Sequence, residues 1–562
     1  MTALPAPEDD APWGNPSPRG SRTPPRVVVI GGGLAGITAA IALAESGAHV
    51  TLLEARPRLG GATCSFTRDG LVVDTGQHVF LGCCTAYRGL LAKLGMTAHA
   101  PLQPRFDVTV LAPGSASIGG SPAPRRARLR RTALPGPLHM LPALARYPFL
   151  SLAERAVVSR PALAMRRLDP ADPEVDAQRF GDWLAAHGQS TRARRALWDL
   201  FSVSSLNIAG DDANLALAAT VVKTGLLGKN NAADIGVPAL PLGELHGDAA
   251  ATHLAKLGGQ VHLSAKVSAI EVNDPAAEPG SSPHARFTVH LARPMDPADA
   301  SPAHPADASP AHPADASPAD PADASPADPG YPATQLPADA VVLAVPHEAA
   351  ARLVPPTTLP AGTVDSWSAL GASPIVNVHV IYDRPVTDLP FAAAIDSPVQ
   401  WVFDRTAISG LALTASPPSA QDPDRPTASA SPASSAARPQ YLAISLSAAD
   451  EYVDVPAGQL RERFVPALAD LFPAAREARV AEFFVTRERR ATFRQAPGCN
   501  ALRPKPGTRL PGLVLAGAWT DTGWPDTMEG AVRSGLAAAI ELRRSDLGSE
   551  WNASTSTMGV RQ

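Results

Sequence analysis

Residues 26–55 read RVVVIGGGLAGITAAIALAESGAHVTLLEA, and the order of these residues dictates the architecture. Arg26 to Ile30 has the continuous β-branched, apolar character of a buried parallel strand. Gly31, Gly33 and Gly36 then make G-x-G-x-x-G, and small and aliphatic residues continue as a helix to about Ser46. A second apolar run, Val50 to Leu53, ends in Glu54. Each glycine has its own task here: the first permits a tight turn and the second lets backbone approach a pyrophosphate. The third allows close packing of helix on strand. The helix N-terminus faces the phosphates with N–H groups that have no partner in the helix. Glu54 follows Gly36 by 18 residues, where a carboxylate that binds ribose hydroxyls is expected. The pattern predicts a dinucleotide site; a Glu at this strand end suits NAD as well as FAD.

The chain has 562 residues, more than one compact core usually accommodates, so two domains are expected. Its formal charge is −4, but residues 297–328 are four tandem octads, PADASPAH or PADASPAD, with six aspartates and no basic residue. Without them the chain is close to neutral, which gives no case for nucleic acid. Four cysteines (Cys64, Cys83, Cys84, Cys499) lack any C-x-x-C and do not make a disulfide framework. No apolar run approaches the roughly 18 residues of a membrane span. The first 25 residues hold prolines and acids where a signal peptide needs a basic start and an apolar core. They are expected to be a disordered leader on a cytoplasmic protein.

The octads cannot bury apolar surface and are expected to form a solvated insertion over about 293–336, joining two strands of one sheet. Residues 416–440 look like an enlarged hairpin loop, and 546–562 like a flexible tail. Residues 240–272 predict a helix, a Gly-Gly stop and a strand pair. In VDTGQHVFLGCCTAY (73–87), Gly76 suits close approach of backbone to a ring, and His78 is the one titratable side chain in the apolar part of the stretch. Adjacent Cys83 and Cys84 have no second pair for zinc, so no metal is expected and both read as small buried hydrophobes.

ARPRLGG (55–61) continues directly from Glu54, and LPGLVLAGAWTDTGWPDTMEGAVRSGLAAAIEL (510–542) gives a strand, a small-residue turn and a helix opening near Met528. With these, the sequence resembles the flavin-dependent amine oxidase and phytoene desaturase superfamily. The resemblance implies an α/β fold: a Rossmann-like FAD-binding domain of discontinuous segments (about 26–100, 239–350 and 498–545) with a mixed α+β substrate domain (101–238 and 351–497). It implies FAD held by Gly31, Gly33, Gly36, Glu54, Arg58, Gly60, Gly61, Gly76, Val267 and Gly517. The N–H groups of Gly530, Ala531 and Val532 are implied to meet the isoalloxazine O2. Ala62 and Ala518 replace an Arg and an Asp common in relatives, so Arg56 or Arg58, and Asp521, are the stand-ins.

Together, TGQHVFLGCCTAY and AGAWTDTGWPDTMEGAVRSG resemble the hydroxysqualene dehydroxylases, squalene-associated flavoproteins of bacterial hopanoid synthesis. That resemblance implies an apolar polyisoprenoid substrate whose allylic hydroxyl is removed by reduced FAD. The proton for the departing hydroxyl is expected from Asp521, then His78 or Glu529, and Trp519 and Trp524 are available to stabilise allylic cation character. A desaturase running hydride the other way, and a non-catalytic prenyl-binding escort, are the rivals. An amine oxidase fits less well, because no aromatic cage is assignable. RRARLRRTALPGPLHMLPALARYPFLSL (125–152) sets Arg125, Arg126, Arg128, Arg130 and Arg131 before a Pro-broken apolar stretch, which suggests peripheral contact with an anionic bilayer.

Overall fold

The computed structural model of the chain describes residues 24–114, 123–273, 285–292, 334–355, 358–360, 362–411 and 438–544. The expected leader (apart from its last two residues), the octads, most of the 416–440 loop and the tail lie outside the described residues.

Five parallel strands form the first sheet, in the order Leu513–Leu515, Ala340–Leu343, Arg26–Ile30, His49–Leu53, Gln260–His262. Alternation of side chains splits the central strand between two cores. Val27 and Val29 pack with Ile37 and Ile41 of the helix Leu34–Glu45 and with Val532 and Leu536 of the helix Met528–Arg544. Val28 and Ile30 face the other way, into a core shared with Val267, Ile270 and Phe287. Those residues belong to a small antiparallel sheet ordered Val267–Val272, Phe287–Leu291, Gln335–Ala338.

Two expectations change here. The strands Gln260–His262 and Val267–Val272 do not pair with each other but enter different sheets. The strands that flank the octads do share one sheet, yet the second of them is Gln335–Ala338, which overlaps the end of the expected insertion, while Ala340–Leu343 belongs to the parallel sheet.

A second large sheet has seven strands, ordered Val480–Thr492, Ser373–Tyr382, Gln440–Leu446, Trp401–Asp404, Phe391–Ala394, Asp107–Ala112, Arg125–Arg130. The pairing of Trp401–Asp404 with Gln440–Leu446 is antiparallel, as the enlarged-hairpin reading of 416–440 requires. On one face Val376, Val378 and Val380 pack against Leu460, Phe464 and Leu468 of the helix Ala457–Leu471. On the other, Ile381, Tyr441 and Phe484 meet Leu71 and Val73 of a hairpin, Ser65–Arg68 with Leu71–Asp74. This second face therefore looks toward the dinucleotide-type half, and the seam between them is where a site can form.

The glycine spacing is enforced by contact. A Cβ on Gly36 would lie 1.9 Å from the Gly31 carbonyl oxygen, and one on Gly31, at φ +107°, would lie 2.3 Å from that of Ala344. Helix and strand can sit this close only without side chains at these positions. Gly36→Ala is therefore expected to cost about 3 kcal/mol or more in a urea melt.

Candidate functional site

The first turn after Ile30 is built for a ligand rather than for a side chain. A Cβ on Gly33 would meet nothing nearer than the Gly61 Cα at 3.9 Å, so space is open above the helix start. Gly33 is the N-cap of the helix Leu34–Glu45, and no side chain caps it. Gly60 donates its N–H to Gly32 O at 2.8 Å, and Gly60 and Gly61 both have positive φ (+108° and +60°), so the Gly-Gly pair crosses this turn as bare backbone. Glu54 is nearly buried and accepts from the Gly32 and Arg56 N–H groups at 2.6 and 2.8 Å. Ala265 donates its N–H to the main-chain carbonyl of Glu54 at 2.8 Å, two residues before the strand that begins at Val267. Arg58 is half-buried, with Nε 3.3 Å from Cys64 Sγ, and Arg56 is exposed.

The far segment is tied down by one arginine. Buried Arg503 donates to Ala518 O and Thr520 O at 2.9 and 2.6 Å, reaches Thr522 Oγ1 at 3.1 Å, and lies over the Phe493 ring. Gly517, at φ +138°, donates its N–H to Ser534 Oγ at 2.9 Å. The Gly530 and Ala531 N–H groups donate to Thr527 Oγ1 and Thr527 O at 3.2 and 2.9 Å, so they are used in closing the first turn of Met528–Arg544. The expected trio of Gly530, Ala531 and Val532 is thus shifted. Among the described residues the open donors of that turn are Met528 and Glu529, the first two of the helix.

The expected acids separate. Asp521 is exposed, with its N–H on Pro504 O, and so lacks the dry setting expected of it. Glu529 is buried but engaged: its carboxylate accepts the Ala86 and Tyr87 N–H groups at 3.2 and 2.8 Å and Arg533 Nε at 2.7 Å. It caps the helix Thr85–Lys93. His78 Nδ1 lies 3.1 Å from Gly76 O; a carbonyl can only accept, so Nδ1 carries the proton. Burial pushes the His78 pKa below its ordinary value, so the ring is neutral near pH 7 and Nε2 is an acceptor. A fourth acid was missed. Burial lifts Asp526 to about 6, while Oδ2 accepts the Phe493 N–H at 2.9 Å and leaves Oδ1 to hold a proton.

Both tryptophans are already committed. Trp519 packs edge-on against Trp367 and donates Nε1–H to Val345 O at 2.9 Å, whereas the Trp524 face carries the Arg533 guanidinium 4.7 Å from its centroid. Residues 80–84 run along 232–236: Phe80 pairs with Gly236, Leu81 with Ile235, and Cys83 donates its N–H to Ala232 O. Cys83 and Cys84 are free thiols in this packed segment, and Leu81 lines an apolar pocket. That pocket lies between Phe106, Phe180, Trp198, Phe201 and Leu226, and its cavity is small, about 50 Å³. Among the described residues no group of three or more His, Cys, Asp or Glu is placed to hold a metal ion. Nor is any helix long and apolar enough to cross a membrane.

The family model for flavin containing amine oxidoreductases matches residues 34–291 and 332–542, most of the chain. The chain belongs to this family. Membership makes it a flavin-dependent oxidoreductase, and the open backbone above Gly33 with Glu54 beside it fits a flavin nucleotide. Among relatives of this flavin oxidoreductase, a hydroxysqualene dehydroxylase of Rhodopseudomonas palustris (strain ATCC BAA-98 / CGA009) is 28% identical over 91% of this chain and 97% of its own. A chloroplastic/chromoplastic 15-cis-phytoene desaturase of an Oncidium hybrid cultivar is 23% identical over 92% of this chain and 78% of its own. Putrescine oxidase with bound putrescine shares the fold at TM-score 0.59 and 18% identity, covering 92% of this chain and 99% of that one.

Glu529 offers a direct check of its capping role. Glu529→Ala leaves two buried backbone donors unpaired, at about 1–3 kcal/mol each in denaturant titration. Glu529→Gln retains an acceptor and is expected to lose clearly less, with turnover remaining measurable.

Proposed function

We propose that the protein removes the allylic hydroxyl of hydroxysqualene reductively, with reduced FAD, giving squalene and water. One observation carries this reading: the near end-to-end match to the Rhodopseudomonas dehydroxylase, which leaves little of either chain outside the alignment. FAD, when bound, supplies the hydride that reaches the allylic carbon. Gly31, Gly33, Gly36, Gly60 and Gly61 would hold its pyrophosphate, Glu54 its ribose and the start of Met528–Arg544 its flavin carbonyl. The apolar pocket under Leu81 takes one isoprenoid end of the substrate and excludes water around it.

Removal of hydroxide also requires a proton, since hydroxide is a poor leaving group in a dry site. Asp526 supplies it. Its carboxyl stays protonated up to pH about 6, and it stands two residues before the helix that closes the flavin site. The carbon–oxygen bond would break as carbon receives one hydride and the leaving oxygen one proton, so alcohol, hydride and proton together give hydrocarbon and water.

Substrate access uses the face around residues 134–163. The arginines expected to bind lipid are largely neutralised within the protein: Arg128 and Arg130 reach Asp107, Arg125 reaches Asp396, and Arg131 forms a pair with Asp234. Exposed leucines remain on this stretch, Leu138 at 47% and Leu152 at 80%, along with Leu134, Leu141 and Leu163. These dip into the bilayer that holds the substrate.

The test is anaerobic: reduce the bound flavin with dithionite, add hydroxysqualene, and follow flavin reoxidation with squalene by mass. One squalene per reoxidised flavin supports the dehydroxylase, whereas no reoxidation, with phytoene converted by oxidised enzyme, favours a desaturase. Turnover should be flat below pH about 6 and fall about tenfold per unit above it, as Asp526 loses its proton. Asp526→Asn should remove that limb and slow turnover by about 10²–10⁴-fold with flavin retained. In liposome flotation, Leu138, Leu141 and Leu152 changed to Ser should release the protein. Changing the five arginines to Ser should matter less.

A further inference from the structure

Where residues 74–78 cross the strand Ser373–Tyr382, two buried amide oxygens have no hydrogen-bond partner: Gln77 Oε1 and Asn377 Oδ1. Asn377 is fully buried, and its Nδ2 is spent on Thr75 O at 3.1 Å. The same Nδ2 lies 3.7 Å from where a Gly76 side chain would begin, so strand and loop are in contact at this point. Asn377 alternates with Val376 and Val378, which pack on the helix Ala457–Leu471, so it stands on the opposite face, toward the dinucleotide-type half. His78 adds a third acceptor to this loop, since its proton sits on Nδ1 against Gly76 O.

A buried acceptor without a donor is costly, and native structures keep few of them without a ligand, a water or an ion. Two unpartnered acceptors, one on the loop and one on the strand it touches, call for a ligand that donates. We infer that Gln77 and Asn377 form the subsite that receives the hydroxyl of the substrate, an alcohol on an otherwise hydrocarbon chain. This rests on the dehydroxylation reading and deepens it. The alcohol O–H donates to an amide oxygen, which turns the lone pairs of that oxygen toward an incoming proton and leaves the carbon–oxygen bond positioned to break. A hydrocarbon cannot replace that donor, so the product, which has lost its hydroxyl, is held more weakly than the substrate. Gln77 and Asn377 are thus specificity-determining, and neither gives up a proton in the reaction.

The experiment measures binding to oxidised, flavin-loaded enzyme, where no turnover occurs, by perturbation of the flavin spectrum. Hydroxysqualene and squalene are titrated into the wild type, Gln77→Met, Asn377→Leu and Gln77→Glu. The wild type is expected to prefer the alcohol. Gln77→Met and Asn377→Leu should each weaken hydroxysqualene about tenfold while leaving squalene unchanged or tighter, and Gln77→Glu, which keeps an acceptor, should restore most of the preference. Should Asn377→Leu fail to fold, the Gln77 pair decides alone. Undiminished preference in the variants overturns the subsite and leaves the dehydroxylase standing. Loss of flavin affinity with the preference intact assigns these amides to the cofactor and overturns it too. A wild type that binds both ligands equally overturns the underlying reading and the subsite with it.

Discussion

The buried pair of Asp74 and Arg405 joins the two halves of the molecule. Asp74 closes the hairpin that leads from the Gly-Gly crossing, and Arg405 follows the strand Trp401–Asp404 of the seven-stranded sheet; both are almost wholly shielded from water. The carboxylate is also saturated from its own side, by Ser65 Oγ at 2.6 Å and the Leu242 N–H at 3.0 Å. Ion pairs of this kind contribute modestly when intact, yet removal of one partner leaves a charge in an apolar interior at a cost of about 3–5 kcal/mol. The pair therefore acts less as glue than as a registry pin. It fixes where residues 74–78 pass the strand Ser373–Tyr382, and with that crossing the positions of Gln77, His78 and Asn377.

Local sequence reveals what local geometry demands. Gly31 and Gly36 were readable because backbone sits where their side chains would be, within one strand–turn–helix unit. Glu54 was readable because the following strand of that unit must end beside the turn. The acids were not readable in the same way. Asp521 and Asp526 stand five positions apart in one loop, and their sequence contexts are alike. They differ because Phe493 and Gln495, some thirty residues earlier, close over Asp526 alone. The capping by Glu529 is illegible for a related reason: its partners Ala86 and Tyr87 lie more than four hundred residues away, and only the folded chain brings them together. Asn377 and Arg503 carried no motif at all, since their importance comes from which carbonyls and amides tertiary packing leaves beside them.

The site as a whole separates its tasks by polarity. Bare backbone and one carboxylate face the dinucleotide side, a small aromatic pocket lies under Leu81, and a short seam of amides and a neutral imidazole lies by the hairpin between the sheets. A reaction that only moved hydride between a flavin and a hydrocarbon would have little use for that seam. Relatives named as a dehydroxylase and as a desaturase both align with more than nine-tenths of this chain, so architecture alone does not separate the two chemistries.

The small antiparallel sheet has a consequence of another kind, for how this gene can change length. Leu291 donates its N–H to Thr334 O at 3.0 Å, and His290 faces Gln335, so the described residues on either side of the octads stand side by side. Closing a longer or shorter loop between fixed posts alters stability by only about 0.6 kcal/mol per doubling. Repeat units can thus be gained or lost there by replication slippage, or swapped for a reporter or an affinity handle, with the flavin half hardly sensing the difference.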